Sequence, residues 1–293
     1  MSRILVLLNA RAGTLHDAGA DRVRAALAAL DESGKVDIRL VEPQRLPREI
    51  ADAARSDFQT VVVGGGDGSA NCAARHFANT GKVLGILPFG TVNLLARDLG
   101  MPAAVEESIA ALQHAEPRKI DLATVNDRPF HSLSGLGFFS QMARAREETR
   151  GHPLGRMMSV GVAAVRALRR TGRFTLALSA NGTTETIDAF AALVTNNRFG
   201  GDWRRPKLDE GLLEVHIAED AGALGLLKAS TDLLSGAWRG NPGIRSIPAR
   251  AIMIDRGRHR TWAATDGELM RERAPLRYGL MPQALTVLSV SGD

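Results

Sequence analysis

The chain carries two textures of apolar and polar positions, one on each side of residue 121. Up to that point, short β-branched or leucine-rich runs alternate with longer stretches in which apolar residues return every three or four positions. That is the spacing of a helix with one buried face. The pattern predicts strands over residues 4–8, 36–41, 60–63 and 82–87, and helices over 18–30, 47–55 and about 70–78. Such alternation builds a parallel sheet with helices on both faces and right-handed crossovers, which binds ligands at the carboxyl ends of its strands. Beyond residue 121 the runs shorten and turn signals multiply. A hairpin is predicted over 124–130, and a stronger one over 175–180 and 183–190 about Asn181-Gly182, a pair suited to a type I′ turn. Further strands at 192–195, 212–217, 251–254 and 285–290 imply an antiparallel sandwich or open barrel. The domain change is therefore placed near residue 122, with domains over 1–121 and 122–282.

Three loops lie where strands of the first domain end. In Gly64-Gly65-Gly66-Asp67-Gly68-Ser69-Ala70-Asn71, three glycines clear the side chains between a strand and a helix. Backbone N–H groups and a partial positive charge at such a junction suit a phosphate chain. Asp67 among them would repel the ligand unless it holds a cation or takes a proton, which points to phosphoryl transfer with Mg²⁺. The plainer alternative is a strand-to-helix turn whose aspartate caps the helix. Pro88-Phe89-Gly90-Thr91-Val92-Asn93 forms a second junction of this kind, and Asn9-Ala10-Arg11-Ala12-Gly13 ends the first strand. All three can share one cleft.

Composition narrows the class. No apolar run reaches the roughly 18–20 residues of a bilayer span, and the short run at 4–8 reads as a strand instead of a leader. Cys72 is the only cysteine, so neither an intrachain disulfide nor a cysteine metal cluster is available, and the cytoplasm is the expected compartment. The formal net charge of +5 is carried mainly by arginine, which fits a phosphate-bearing partner, while 4% aromatic content argues against a stacked nucleic-acid surface. A helix is predicted over 153–170, and the stretch 141–173 holds eight arginines against two glutamates. A basic helix with an apolar face can lie on an anionic bilayer, although a core-facing helix with solvated arginines is the plainer reading.

Two later stretches carry carboxylates. Pro206-Lys207-Leu208-Asp209-Glu210-Gly211-Leu212 offers side-chain and carbonyl oxygens for a hard cation, or is a solvated turn. Trp262-Ala263-Ala264-Thr265-Asp266-Gly267-Glu268 reads as a strand followed by a hairpin turn.

Taken together, these segments resemble the diacylglycerol kinase catalytic family, specifically its bacterial lipid kinases. Gly65-Gly66-Asp67-Gly68-Ser69 matches the signature, which NAD kinases and phosphofructokinases share, and Pro88-Phe89-Gly90-Thr91-Val92-Asn93 makes the match specific. Ile120-Asp121-Leu122, the stretch from Pro206 and Asp266-Gly267-Glu268 extend it along the chain. The resemblance implies an N-terminal α/β domain and a C-terminal β-sandwich that enclose a nucleotide cleft, with 283–293 returning to the first domain. It implies that ATP donates its γ-phosphoryl to a lipid hydroxyl with Mg²⁺. Asn9, Gly13, Gly64, Gly65, Gly66, Gly68, Ser69, Ala70, Asn71, Gly90, Thr91, Asn93 and Gly267 would line the nucleotide site. Asp266 would be the general base with Glu268 as its fallback, Asp67 would bind Mg²⁺ or share that role, and Asp209, Glu210 and the Leu212 carbonyl would hold a structural metal. The expected partners are a lipid substrate met peripherally at the inner face of the membrane and a second copy of the chain, not nucleic acid.

Three positions depart from the family pattern. Ala10 stands for the usual proline, and Leu94 stands where many diacylglycerol kinases carry an aspartate, so diacylglycerol itself is not fixed as the substrate. Lys207 stands where a metal acceptor is expected, which suggests an ammonium in partial place of the cation. An NAD kinase and a non-catalytic nucleotide- or lipid-binding module are the rival readings.

Overall fold

A computed structural model of the chain describes residues 3–13, 19–29, 36–148, 166, 170–200, 203–219, 228, 231–232 and 237–290. The chain divides into two compact units, Met1–Leu122 with Met281–Asp293, and Ala123–Leu280.

The first unit begins with β1 (Ile4–Asn9), α1 (Ala20–Ala29), β2 (Val36–Val41) and α2 (Leu46–Arg55). It continues with β3 (Thr60–Gly65), α3 (Asp67–Phe77), β4 (Val83–Pro88), α4 (Leu94–Asp98) and α5 (Val105–Ala111). β1 pairs in parallel with β2 and β3, and β3 with β4. The end of the C-terminal strand adds to the other side of β4, Thr286 opposite Val83 and Val287 opposite Leu84. The inner strands β1, β3 and β4 are buried on both faces, so they read as continuous apolar runs: Leu5 to Leu8 and Val61 to Val63 lie in the core. On α2, Pro47 occupies the first turn, where its missing N–H costs nothing, and Leu46, Ile50, Ala53 and Ala54 form the buried stripe. Bonds outside the ladder also hold the returning strand. Gln283 N–H donates to buried Asp121 Oδ1 at 2.8 Å, and Asn79 N–H donates to the Ala284 carbonyl at 2.7 Å.

The second unit is antiparallel. β5 (Glu116–Val125) runs into it from the first and forms a hairpin with β6 (Arg128–Phe130) about Asn126 and Asp127, both at positive φ. Then come β7 (Leu133–Gly137), α6 (Phe138–Glu148), β8 (Phe174–Ala180), β9 (Thr183–Asn196) and β10 (Leu213–Glu219). A 3₁₀ turn at Ala237–Gly240 precedes β11 (Ile244–Ala249), β12 (Ile252–Asp255), β13 (Arg260–Thr265), β14 (Glu268–Arg273) and β15 (Leu276–Ser289). The pairing path β14-β13-β7-β9-β8-β12-β15 has β10 and β11 attached at β9. One core cluster joins Phe130, Leu176, Leu178, Val194, Val215 and Tyr278. A second is aromatic, with Phe138, Phe190, Phe199 and Trp238.

Several sequence expectations are corrected here. The strands expected at 183–190 and 192–195 are one strand, because β9 pairs with β8 over its first half and with β7 and β10 over its second. α3 starts at Asp67 instead of residue 70, since the Ser69 and Ala70 N–H groups both bond to the Gly66 carbonyl. α6, β7, β11 and β14 had no predicted counterpart. The helix expected over 153–170 lies outside the described residues except at 166 and 170.

Candidate functional site

The registers of the first unit place three of the expected loops at one sheet edge. Leu8, Gly64 and Leu87 are aligned across β1, β3 and β4, so the chain leaves all three strands at the same level. Packing explains the glycines there. A Cβ on Gly90 would stand 2.4 Å from the Gly66 Cα, and one on Gly65 would stand 2.4 Å from Ser69 Oγ. The two loops therefore touch backbone to backbone, as only glycine allows. Gly66 enters α3 in an extended conformation and no side chain caps that helix. Its first-turn N–H groups thus form the kind of helix N-terminus that receives phosphate.

Asp67 ties the two loops together. Its Oδ1 accepts the Leu94 N–H at 2.8 Å and its Oδ2 accepts the Asn93 N–H at 3.1 Å, so it caps α4 from across the loop. Asn93 sits in the left-handed region at φ 53° and spends its side chain on its own loop. Oδ1 accepts the Gly90 N–H at 2.9 Å, and Nδ2 donates to the Gly90 and Pro88 carbonyls at 2.9 and 3.2 Å. The Asn93 side chain thereby shapes its own loop. In the first loop, Asn9 Oδ1 accepts the Arg11 N–H at 3.1 Å. Gly13, Gly68 and Thr91 are exposed, Gly64, Ala70 and Asn71 are buried, and Ser69 is half-buried in the first turn of α3.

In the second unit, Asp266 and Gly267 form the turn between β13 and β14 with φ of 47° and 84°. The Asp266 carboxylate is 3% exposed as a residue. Its Oδ2 accepts the His131 N–H at 2.8 Å, and its Oδ1 accepts the N–H groups of Ser132 and Leu133 at 2.9 and 3.1 Å. The Asp266 N–H returns a bond to the Leu133 carbonyl at 2.8 Å. Buried under three amides, the carboxylate holds the 131–133 loop against this turn. It is the anchor of this turn. Glu268, the half-buried first residue of β14, is presented by it.

The groups expected to hold a structural metal, Asp209, Glu210 and the Leu212 carbonyl, lie just before β10. The Glu210 carboxylate accepts the Arg198 backbone N–H at 2.9 Å and lies 3.4 Å from the Arg198 guanidinium. The Leu212 carbonyl accepts the Asn197 N–H at 2.9 Å. An arginine thus stands where a cation was expected, while Lys207 is exposed. Among the described residues no group of three His, Cys, Asp or Glu side chains is placed to hold a metal. Magnesium carried by a nucleotide needs less, since phosphate and water supply most of its ligands; Asp67 offers a carboxylate at the second of the loops. ATP phosphates fit the uncapped, glycine-lined head of α3.

Sequence reasoning missed Arg198 and the 131–133 loop. Arg198 was findable only from the β9–β10 register, which the sequence does not state. The 131–133 loop contributes backbone donors, which leave no side-chain signal.

The diacylglycerol kinase catalytic domain family matches residues 3–125, and the YegS C-terminal NAD kinase beta sandwich-like domain family matches residues 137–289. A relative named probable lipid kinase YegS-like, from Pseudomonas aeruginosa (strain UCBPP-PA14), is 30% identical over 99% of this chain and 95% of its own length. An uncharacterized protein, sll0036 of Synechocystis sp., is 28% identical over 85% of this chain, which spans 59% of that relative's length. A solved structure of a diacylglycerol kinase from Bacillus anthracis str. Sterne has a TM-score of 0.69 at 17% identity, covering 98% of this chain and 97% of that one. A second structure from that organism reaches a TM-score of 0.77 at 21% identity over the same shares. At these identities the structural likeness speaks for the fold alone.

Proposed function

Since this chain belongs to the diacylglycerol kinase catalytic family, with the YegS-type C-terminal domain, we propose that it is a lipid kinase that transfers the γ-phosphoryl of ATP to a lipid hydroxyl. The observation that carries the reading is the Gly66–Gly90 contact, which holds two loops together beside the uncapped head of α3. The first-turn amides of α3 bind and orient the phosphates, and Ser69 and Thr91 add hydroxyl groups beside them. Magnesium, when bound with the nucleotide, neutralises charge that develops on the transferring group. Asp67 keeps the second loop in place through its two amide bonds and has oxygen lone pairs left for that cation or its waters.

A lipid hydroxyl is a poor nucleophile, so a carboxylate must take its proton as the bond to phosphorus forms. We assign that role to Glu268, because the Asp266 carboxylate is committed to the 131–133 loop. Asp266 and Gly267 then act as positioning residues. Among the described residues no helix is long and apolar enough to cross a membrane, so the lipid is met by peripheral contact, and we place the protein in the cytoplasm at the inner face of the membrane. Within the basic stretch, Arg170 is paired with Glu148 at 2.8 Å and Arg144 lies over the exposed Trp262 ring at 4.9 Å.

The test is incubation of the purified chain with γ-labelled ATP, Mg²⁺, a panel of lipids and NAD, followed by separation of products. Label in a lipid is the expected result. Label in NAD alone would overturn the reading in favour of an NAD kinase, and label in neither would leave a binding module.

A further inference from the structure

Wholly within the second unit, β8, β9 and the turn after β12 line an open cavity of about 360 Å³. That volume falls within the roughly 300–1,000 Å³ of small-ligand sites. Its lining is Arg173, Phe174, Thr175, Asp188, Arg256 and Arg258, three guanidinium groups against one carboxylate. The carboxylate is already engaged, since Asp188 Oδ1 accepts a bond from Thr175 Oγ1 at 2.6 Å. Arg256 is fixed in place: its guanidinium lies 3.9 Å from the centre of the Phe174 ring, and Nη1 donates to Thr261 Oγ1 at 3.3 Å. Its Nε is buried and has no hydrogen-bond partner. Among the described residues, neither Arg256 nor Arg258 forms an ion pair with a carboxylate.

Like charges held side by side without a counter-ion are unfavourable, and a buried donor without an acceptor adds to the cost. Burial first, and then the Arg258 charge, press Arg256 toward losing its proton. A bound anion would relieve both. Planar guanidinium groups converging on one space match phosphate oxygens, which accept several such bonds together. The stacked ring keeps Arg256 ordered, so little side-chain freedom is lost on binding.

We propose that the pocket formed by Arg173, Arg256 and Arg258 over Phe174 is a second binding site, separate from the nucleotide loops, for a phosphate-bearing group. The group comes either from a free phosphate compound or from the headgroup of an anionic lipid. The site stands on this cavity alone and does not depend on the kinase reading.

The experiment uses the full chain with its nucleotide loops saturated by a non-hydrolysable ATP analogue. Three probes are titrated by calorimetry: inorganic phosphate, glycerol 3-phosphate, and phosphatidylcholine vesicles containing phosphatidylglycerol. The expected result is binding of at least one probe that falls about 10-fold or more in Arg256→Gln/Arg258→Gln. Arg48→Gln, an exposed arginine on α2, should leave that binding unchanged. Because Arg256 packs on Phe174, Arg258→Gln alone serves as the second variant, its side chain being exposed; a smaller loss in the same direction is expected. Binding of the soluble probes assigns the site to free phosphate compounds, and binding of the vesicles alone assigns it to a lipid headgroup. No binding of any probe by the unmodified chain, or equal binding by the folded arginine variants, overturns the proposal.

Discussion

Asp67 and Asp266 are each followed by glycine, and each accepts bonds from the backbone of a loop far away in sequence, yet they sit in different surroundings. Asp67 is half-buried and takes one N–H on each oxygen, from Asn93 and Leu94. Asp266 is buried and takes three, from His131, Ser132 and Leu133. The first keeps access to solvent beside a helix head, and the second is sealed in by the loop it holds. An Asp-Gly pair in a family motif names a residue type; the fold around it sets its burial and its donors.

The comparison breaks most visibly in stability. Asp266→Ala leaves three backbone donors without their acceptor in a buried place, so urea unfolding should show a loss of roughly 3–5 kcal/mol. Asp67→Ala removes two half-buried bonds at the rim and should cost about 1–2 kcal/mol in the same experiment. Equal losses would mean that the two carboxylates do the same work.

Next in size is the contact between the loops. A Cβ on Gly90 meets the Gly66 backbone at 2.4 Å, whereas one on Gly66 meets the Gly90 Cα at 3.3 Å. Gly90→Ala should therefore lower kcat/KM by about 10²-fold through misplaced loops, and Gly66→Ala by clearly less. Steady-state kinetics with ATP varied will show whether that order holds.

The last effect is a pH slope within the second unit. His216 is held down to about 3 by burial, and next by the Arg239 charge, and is neutral in the fold. Its contact with Glu214 at 3.4 Å is therefore not an ion pair at neutral pH. The unfolded chain takes up a proton below its ordinary value near 6.5 while the folded chain does not. Stability from this group is thus full above about pH 6.5 and falls as pH drops towards 3, by up to about 1.4 kcal/mol per pH unit. His216→Gln should flatten the dependence of the urea midpoint between pH 5 and 7, and an unchanged slope would assign it to other groups.

The alternation of 60–65 and 67–77 was legible because one buried strand and one helix face impose different periods on neighbouring residues. The three loops were legible for the same reason: parallel strands of similar length end together. The partners of Asp67, Asn93 and Asp266 were not, since backbone amides carry no side-chain identity. β9 was read as two strands because its partners change midway along it, a fact of the sheet and not of its residues. Arg198 beside Glu210 was hidden in the same way, by a register that only the pairing of β9 with β10 supplies.

The assignment of the two carboxylates of the β13–β14 turn is tested most directly by turnover of Glu268→Gln beside Asp266→Asn, on the lipid that takes label, with urea unfolding of both. The account expects Glu268→Gln to keep the unmodified chain's stability and ATP affinity while kcat falls by about 10²-fold or more, and Asp266→Asn to lose stability first. Full turnover in a folded Glu268→Gln, with turnover lost in a stably folded Asp266→Asn, would contradict it and return the general base to Asp266.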